Sequence, residues 1–290
     1  MQIGVSSYSY SRLVRSGGMK QTEVIGAARE AGFDVIEFSV IAVPDGQKLA
    51  AFAGELREEA RKVGIAIANY TIGADFINGS NGNLDAEIAR VKGEVDIAEI
   101  LGVPGMRHDA TTGFAAGYTG PRGFDNALPR LAEGCRAVTE YAATKGIRTM
   151  VENHGFFCQD SIRVEQLINA VGHPNFGALI DMGNFSCADE DAGIAVGRLA
   201  RYAFHAHAKD FHIKAGDVVN PGEGWFQSRG GNYLRGAIIG HGDVPVLQAI
   251  RALKRTGYNG VLSIEFEGME DVLTGLRIGL ANLRRLVEIA

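Results

Sequence analysis

The sequence predicts an α/β protein that folds as a closed (β/α)₈ barrel, and three observations support this prediction. Eight short runs of apolar or β-branched residues recur along the 290-residue chain. Helix-like stretches follow most of these runs, and strands that alternate with helices are typical of parallel βαβ units. Glycine recurs where a helix would end before the next strand. Eight such units favour a barrel over the alternative, a doubly wound sheet.

The strands and helices are predicted in chain order. The strand-like runs lie at residues 3–7, 35–38, 65–70, 105–108, 149–152, 178–181, 203–207 and 261–265. The clearest helices are predicted at 47–63, 83–101, 124–145, 245–256 and 269–289. The glycines expected to end helices in the left-handed conformation are Gly32, Gly64, Gly102, Gly146, Gly172 and Gly257. No linker or composition break divides the chain, so residues 1–290 are predicted to form a single domain.

Composition and charge exclude several classes of protein. A hydrophobic content of 46% and a charged content of 22% are ordinary for a soluble enzyme. The net charge of −5 does not favour binding to nucleic acid or to an anionic membrane. No apolar run approaches the roughly 20 residues of a membrane helix. Three cysteines without metal-type spacing argue against a disulfide framework. We therefore expect a cytoplasmic protein, and the sequence leaves a homo-oligomer open.

Four successive strand-like runs end in an acidic or imidazole side chain, namely Glu152, Asp181, His207 and Glu265. In a (β/α)₈ barrel the carboxyl ends of the strands form the active face. Neighbouring parallel strands are about 4.8 Å apart, so adjacent strand ends can share one ion. Three carboxylates and one imidazole predict a single divalent metal site at strands five to eight. This donor set suits Mn²⁺ best, with Mg²⁺, Co²⁺ and Zn²⁺ as alternatives.

Five motifs resemble the xylose-isomerase-like TIM barrel superfamily along essentially the whole chain. They are Val-Glu-Asn-His-Gly at 151–155, Leu-Ile-Asp-Met-Gly at 179–183, His-Ala-His-Ala-Lys-Asp at 205–210, Gly-His-Gly-Asp at 240–243 and Gly-Tyr-Asn-Gly-Val-Leu-Ser-Ile-Glu at 257–265. The resemblance implies the same four metal ligands. It also implies that Glu152 and Glu265 serve as the catalytic acid/base pair.

The implied activity is isomerisation or epimerisation of a small sugar or related polyhydroxy carbonyl compound through an enediolate. A divalent ion stabilises such an anion, and two carboxylates can remove and return the proton. The alternative is a lyase or dehydratase of the same superfamily, of the inosose, dehydroshikimate or 3-oxo-glycoside type. An endonuclease IV-like nuclease is disfavoured, because the Asp-Arg-His motif that such enzymes carry after strand seven is absent. We expect a small carbohydrate partner and no nucleic acid or membrane.

Five further residues are candidate substrate contacts, namely His108, His154, Asn184, His205 and Lys209. His205 and Lys209 share the strand parity of His207 and should point to the same side. Many sugar epimerases of the superfamily carry a histidine where this chain has Asn184. The ketose 3-epimerases carry a glutamate where it has Cys158. These departures count against a close D-tagatose 3-epimerase-type function but leave the metal ligands intact.

One connection is unusually long, from residue 210 to about 245, and it is rich in glycine. Long loops in compact domains tend to be lids or binding loops. Because this loop leaves the seventh strand at the predicted metal end, we expect it to cover the site.

Overall fold

The computed structural model describes residues 1–290 and contains a closed barrel of eight parallel strands. In chain order the strands are β1 Gln2–Ser6, β2 Val35–Ser39, β3 Ala66–Ile72, β4 Gly105–His108, β5 Arg148–Glu152, β6 Phe176–Asp181, β7 Ala203–Ala208, β8 Asp210–Lys214, β9 Phe226–Gln227, β10 Tyr233–Ala237 and β11 Val261–Ile264. The barrel runs β1-β11-β7-β6-β5-β4-β3-β2 and closes between β2 and β1. The predicted fold class is confirmed.

Ten helices connect the strands. They are α1 Ser11–Arg15, α2 Gln21–Ala31, α3 Leu49–Val63, α4 Leu84–Leu101, α5 Phe124–Ala143, α6 Ser161–Val171, α7 Asn184–Cys187, α8 Ala192–Leu199, α9 Val246–Arg255 and α10 Val272–Ile289. The five clearest predicted helices correspond to α3, α4, α5, α9 and α10, with ends within about three residues, as expected for helix boundaries read from sequence. No helix combines the length and apolar character that a membrane crossing requires.

Local sequence explains where several helices begin and end. Asn83 precedes α4, and its side chain accepts a hydrogen bond from the amide of Ala86. Asp160 and Asp191 cap α6 and α8 in the same way. Gly102 ends α4 in the left-handed conformation, with φ of 75°, where a residue with a side chain would be strained. The three N-terminal caps begin their helices, and Gly102 ends α4 shortly before β4.

Two irregularities in the barrel lie close to functional side chains. The register of the pairing between β2 and β3 shifts by one residue between Ile36 and Phe38, at the position of Glu37. The pairing of β6 with β7 shifts between Ala178 and Leu179, opposite the start of β7. Such irregularities redirect side chains locally. They therefore affect which residues of β2 and β7 face the barrel interior.

The long connection after β7 is ordered into a small antiparallel sheet of β8, β10 and β9. Asp210 at the start of β8 anchors the far end of this connection, because its carboxylate accepts hydrogen bonds from the amides of Gly240, Gly242 and Val244. Phe226 in β9 lines the pocket at the mouth of the barrel. The connection is thus a folded flap that contributes one wall of the pocket.

Candidate metal centre and pocket

Four side chains converge at the carboxyl-terminal end of the barrel. Glu152 and Asp181 end β5 and β6, His207 is the next-to-last residue of β7, and Glu265 directly follows β11. One ligand atom of each lies within 4.8 Å of the others, and all four residues are buried. The structure therefore brings together the four residues that the sequence predicts as metal ligands.

The ring of His207 presents Nδ1 to the three carboxylates. Nδ1 lies 3.5 Å from Oδ2 of Asp181, 3.7 Å from Oε1 of Glu265 and 4.0 Å from Oε1 of Glu152. Nδ1 of His207 is buried without a hydrogen-bond partner, and Oδ2 of Asp181 also makes no hydrogen bond, although Nζ of Lys209 forms an ion pair with it at 3.2 Å. Buried polar atoms are normally paired, so an unpaired imidazole nitrogen that faces three carboxylates points to a group that binds between them. A divalent cation fits this donor set.

The charges in the cluster perturb one another strongly. Burial lowers the pKa of His207, but the attraction of Glu37 and Glu265 outweighs it and holds the pKa well above its usual range. Burial raises the pKa of Asp181, yet Lys209 and His207 bring it down to about 2. Burial raises the pKa of Glu152 despite the opposing effect of Arg107. Strongly perturbed groups that share one buried cluster are typical of functional sites.

Lys209 is buried beside the cluster, as its strand parity predicts. Its Nζ lies 2.6 Å from Oε2 of Glu265 and 3.2 Å from Oδ2 of Asp181. The same ammonium donates a hydrogen bond to Oδ1 of Asn184 at 3.1 Å. Lys209 and Asn184 both line the pocket. Lys209 thus compensates the charge of two predicted ligands.

Asn184 lies beside two of the predicted metal ligands. It begins α7 and is buried, and its Nδ2 donates a hydrogen bond to Oε1 of Glu152 at 2.8 Å. The backbone N–H of Asn184 donates a hydrogen bond to Oδ1 of Asp181 at 2.9 Å. Asn184 therefore orients two predicted ligands while its side chain remains part of the pocket wall.

Arg107 on β4 was not singled out by the sequence, yet it touches the cluster directly. Its Nε lies 2.6 Å from Oε2 of Glu152, and a terminal nitrogen lies 2.8 Å from Oδ1 of Asp109. A further terminal nitrogen donates to the carbonyl of Ile72. Arg107 is thus a buried part of the site that forms ion pairs with Glu152 and Asp109. The available signal was a charged residue inside a short apolar run.

His154 lies two residues beyond Glu152 and lines the pocket, with half of its side chain exposed. Its Nδ1 is 2.9 Å from Oδ1 of Asp109. Burial lowers the pKa of His154, but the hydrogen bond and charge of Asp109 outweigh it and raise the pKa. The arrangement is a histidine oriented by a carboxylate, which leaves Nε2 for contact with a substrate.

His108 lies outside the pocket. The ring is fully buried, with Phe76 at 5.8 Å and Phe176 at 6.0 Å between centroids, and its Nδ1 contacts the carbonyl of Asp109 at 2.8 Å. Burial lowers its pKa to about 4, so it is a neutral core residue. His108, predicted as a substrate contact, is thus not among the residues that could touch a molecule in this pocket.

His205 also lies beneath the pocket rather than in its wall. Its Nε2 is 2.7 Å from Oε2 of Glu37 and 3.1 Å from Oγ of Ser263. Glu37 on β2 was missed by the sequence reasoning, although a glutamate between Ile36 and Phe38 in an apolar run was the available signal. His205, predicted as a substrate contact, is thus not among the residues that line the pocket, and its contacts are with Glu37 and Ser263.

The pocket opens above the cluster and has a volume of about 380 Å³. Glu152 and Glu265 form its floor with Lys209, and the half-exposed aromatic rings of Tyr8 and Phe226 form part of its rim. This size and lining suit a small polar molecule, with aromatic faces available for packing against a sugar ring.

The family described as "Xylose isomerase-like TIM barrel" matches residues 25–286 of the chain. No curated protein matches the sequence significantly.

Several solved structures share the fold at low sequence identity. A "xylose isomerase-like TIM barrel/4-hydroxyphenylpyruvate dioxygenase fusion protein" is 21% identical with a TM-score of 0.75, and the match covers 99% of this chain and 42% of that protein. An L-ribulose 3-epimerase is 18% identical with a TM-score of 0.72, covering 99% of this chain and 95% of the epimerase. The probable 3-DHS dehydratase of Bacillus anthracis is 16% identical with a TM-score of 0.70, covering 98% and 99%. At these identities the likeness shows the fold alone.

Proposed function

The chain belongs to the family of xylose isomerase-like TIM barrels, and from this premise we propose that it is a divalent-metal-dependent isomerase or epimerase. The substrate would be a small sugar or a related polyhydroxy carbonyl compound. The observation that carries the proposal is the unpaired Nδ1 of His207, which faces the carboxylates of Glu152, Asp181 and Glu265 at the floor of an open pocket.

The metal ion that best suits three carboxylates and one imidazole is Mn²⁺, with Mg²⁺, Co²⁺ or Zn²⁺ as alternatives. When bound, it would hold the carbonyl and hydroxyl oxygens of the substrate and stabilise the negative charge that develops on removal of the neighbouring carbon-bound proton. The protein residues hold the ion, orient the substrate and move the proton.

Two groups are best placed to move the proton. Glu265 borders the pocket and contacts Lys209, which can hold a proton beside it. His154 borders the pocket and is oriented by Asp109. By contrast, both oxygens of Glu152 already accept hydrogen bonds or ion pairs, from Asn184 and from Arg107. We therefore assign Glu265 and His154 to proton transfer and regard Glu152 chiefly as a metal ligand.

A lyase of the same family is the second candidate, and a specific observation favours it. The hydrogen bond and charge of Asp109 raise the pKa of His154, which borders the pocket. Elimination of a hydroxyl or glycosyl group from the same enediolate needs a general acid at the leaving oxygen. A cationic His154 would provide that acid. The two reactions share proton removal and differ in the fate of the intermediate.

Deuterium exchange tests the proposal. In deuterated water with Mn²⁺, the native protein should introduce deuterium next to the carbonyl of at least one member of a panel of ketoses, inososes and 3-oxo-sugars. Glu265→Gln and His154→Gln should each slow exchange at least about a hundredfold, the scale for a positioned acid or base. Proton magnetic resonance distinguishes the candidates, because an epimer or isomer retains all hydroxyls whereas a lyase releases water or an alcohol.

The matched control is His241→Gln, a change of the same type at an exposed residue outside the pocket wall. It should exchange at the native rate. Exchange at the native rate in both Glu265→Gln and His154→Gln would overturn the assignment of these groups. Absence of exchange on every member of the panel, with metal bound, would overturn the proposed reaction class.

A further inference from the structure

Glu37 is a fully buried carboxylate in the interior of the barrel. It lies in the middle of β2, and β1 and β11 separate this strand from β7, which carries His207. The irregular pairing of β2 with β3 falls at Glu37. A buried charge is costly unless it is paired and hydrogen-bonded. Glu37 therefore needs partners that compensate its buried charge.

The first contact of Glu37 is with the predicted metal ligand. Oε1 of Glu37 lies 2.5 Å from Nε2 of His207, whose opposite nitrogen, Nδ1, faces the carboxylate cluster. A carboxylate accepts hydrogen bonds and does not donate them when ionised. The short contact therefore requires the proton of the neutral ring to sit on Nε2. Nδ1 is then left with a lone pair directed at the cluster, which is the form that binds a cation.

The second contact fixes Glu37 itself. Its other oxygen, Oε2, lies 2.7 Å from Nε2 of His205, and that nitrogen is also 3.1 Å from Oγ of Ser263 on β11. The chain of contacts runs from β11 through β7 to β2. Because each carboxylate oxygen of Glu37 has its own imidazole partner, the carboxylate cannot rotate without losing one of them.

The three residues Glu37, His205 and His207 are themselves close enough to suggest a second metal group. The distances argue against it. Two ligand atoms of one ion, each bound at about 2.0–2.2 Å, are held about 3 Å apart or more. Both contacts of Glu37 are shorter than that: the 2.5 Å contact of Oε1 with His207 is a hydrogen bond typical of a charged acceptor, and the 2.7 Å contact of Oε2 with His205 is a close ion-pair distance. Glu37 therefore lies behind the metal centre and not in a second one.

We infer that Glu37 is a positioning residue for the metal centre: it selects the tautomer of His207 and aims Nδ1 at the ion, while His205 holds Glu37 in place. This inference rests on the proposed function, since it concerns the same ion. It adds a carboxylate from β2, on the far side of β1 and β11, to a site otherwise built from β5, β6, β7 and the end of β11. Outer partners of this kind tune the affinity of a metal site.

Calorimetric titration with Mn²⁺ tests the inference with a variant that retains the shape of the side chain. Glu37→Gln should raise the dissociation constant for Mn²⁺ about 10- to 100-fold, the usual effect of losing an outer carboxylate. The amide can turn its donor toward Nε2 of His207 and thereby favour the wrong tautomer. Glu288→Gln is the control, because it makes the same change at an exposed residue outside the pocket and outside the contacts of Glu37. Its affinity for Mn²⁺ should stay native.

A second measurement uses only the native protein. In native protein with ¹⁵N-labelled histidine and bound Zn²⁺, the ¹⁵N shifts should show Nδ1 of His207 bound to the metal and Nε2 protonated. Coordination of Zn²⁺ through Nε2 of His207 would overturn the inference about Glu37, and so would native affinity for Mn²⁺ in a folded Glu37→Gln protein. Neither result would overturn the proposed function. If the native protein binds no divalent ion, the proposed function fails first, so the two failures are distinguishable.

Discussion

At the scale of single residues, opposite charges hold the predicted ligands in place before any ion is considered. Arg107 touches Glu152 at 2.6 Å and Asp109 at 2.8 Å, and thereby links a predicted metal ligand to the carboxylate that orients His154. Lys209 balances Glu265 in the same way. A buried charge without such a partner would be strongly destabilising. The predicted ligands and His154 are thus parts of one connected network.

Asp75 provides a residue-scale prediction outside this network. Its carboxylate accepts hydrogen bonds from the amides of Ile77 and Asn78 and from the hydroxyls of Thr111 and Thr112, which ties the loop after β3 to the loop after β4. Burial raises its pKa, but these hydrogen bonds outweigh burial, and the pKa falls below its unfolded value of 3.8. Asp75→Asn should therefore destabilise the protein at neutral pH by about 1–3 kcal/mol.

The sign of the pH dependence follows from the lowered pKa. The stabilisation by Asp75 is complete above 3.8 and is lost as the pH falls through the lower pKa of the folded state. Urea unfolding of native and Asp75→Asn protein should therefore show a difference that is constant near neutral pH and shrinks in acid. A difference that grows in acid would contradict the assignment of these hydrogen bonds to the ionised carboxylate.

The sequence could predict that Glu152, Asp181, His207 and Glu265 lie together, because the carboxyl ends of barrel strands converge regardless of loop length or conformation. The contacts of Glu37 and Arg107 could not be predicted, since each lies inside an apolar run and its partners are on other strands. An apolar run predicts that a charged side chain within it will be buried. It does not predict which oppositely charged residue, on another strand, will form an ion pair with that side chain. His108 does end β4, but its ring packs against Phe76 and Phe176 and does not line the pocket, which the local sequence does not reveal.

At the scale of elements, the flap formed by β8, β9 and β10 is attached to the barrel at both ends. Asp210 holds the end near Gly240. Asp189, which follows α7, holds the tip: its carboxylate accepts from Oγ of Ser228 at 2.5 Å, from the amide of Gly230, and from Nδ2 of Asn232 at 2.8 Å. These contacts position Phe226, which lines the pocket, so the order of the flap contributes to the shape of the site.

Asp189→Asn tests this attachment. An amide at Asp189 keeps the shape and tolerates the positive φ of 58°, but its NH₂ group cannot accept hydrogen bonds from the flap. Amide hydrogen exchange over residues 226–237 should become faster, while the unfolding temperature of the barrel changes little. Asp191→Asn is the matched control, because it caps α8 through Ile194 and asparagine caps a helix equally well. Unchanged exchange in the flap of Asp189→Asn would refute the attachment.

The helices that surround the barrel were predictable because each repeats an apolar face and ends near a glycine or a cap. The flap was not, since its strands are short and pair only with each other. Its glycine content indicated a long functional loop, and the hydrogen bonds of Asp189 and Asp210 show why the segment is ordered. Sequence spacing alone does not reveal that two aspartates 21 positions apart hold opposite ends of one flap.

At the scale of the whole molecule, barrel closure lets β2 and β7 cooperate in one site. The sequence predicts the eightfold repeat of strands and helices, and it predicts the end of the barrel at which Glu152, Asp181, His207 and Glu265 meet. The pairing of Glu37 with His207 was not, because residues 170 positions apart meet only after the barrel has closed. An ion bound only to the folded state would stabilise the whole protein in proportion to the logarithm of its concentration.

Metal stoichiometry tests the central claim most directly. Elemental analysis and Mn²⁺ titration of the native protein should give one divalent ion per chain. Asp181→Ala and His207→Ala should each lose most of the bound metal, because each removes an atom that faces the ion, whereas His241→Gln should retain it. A full metal complement in both folded alanine variants, or a native protein that binds no ion, would contradict the claim that Glu152, Asp181, His207 and Glu265 form the metal centre.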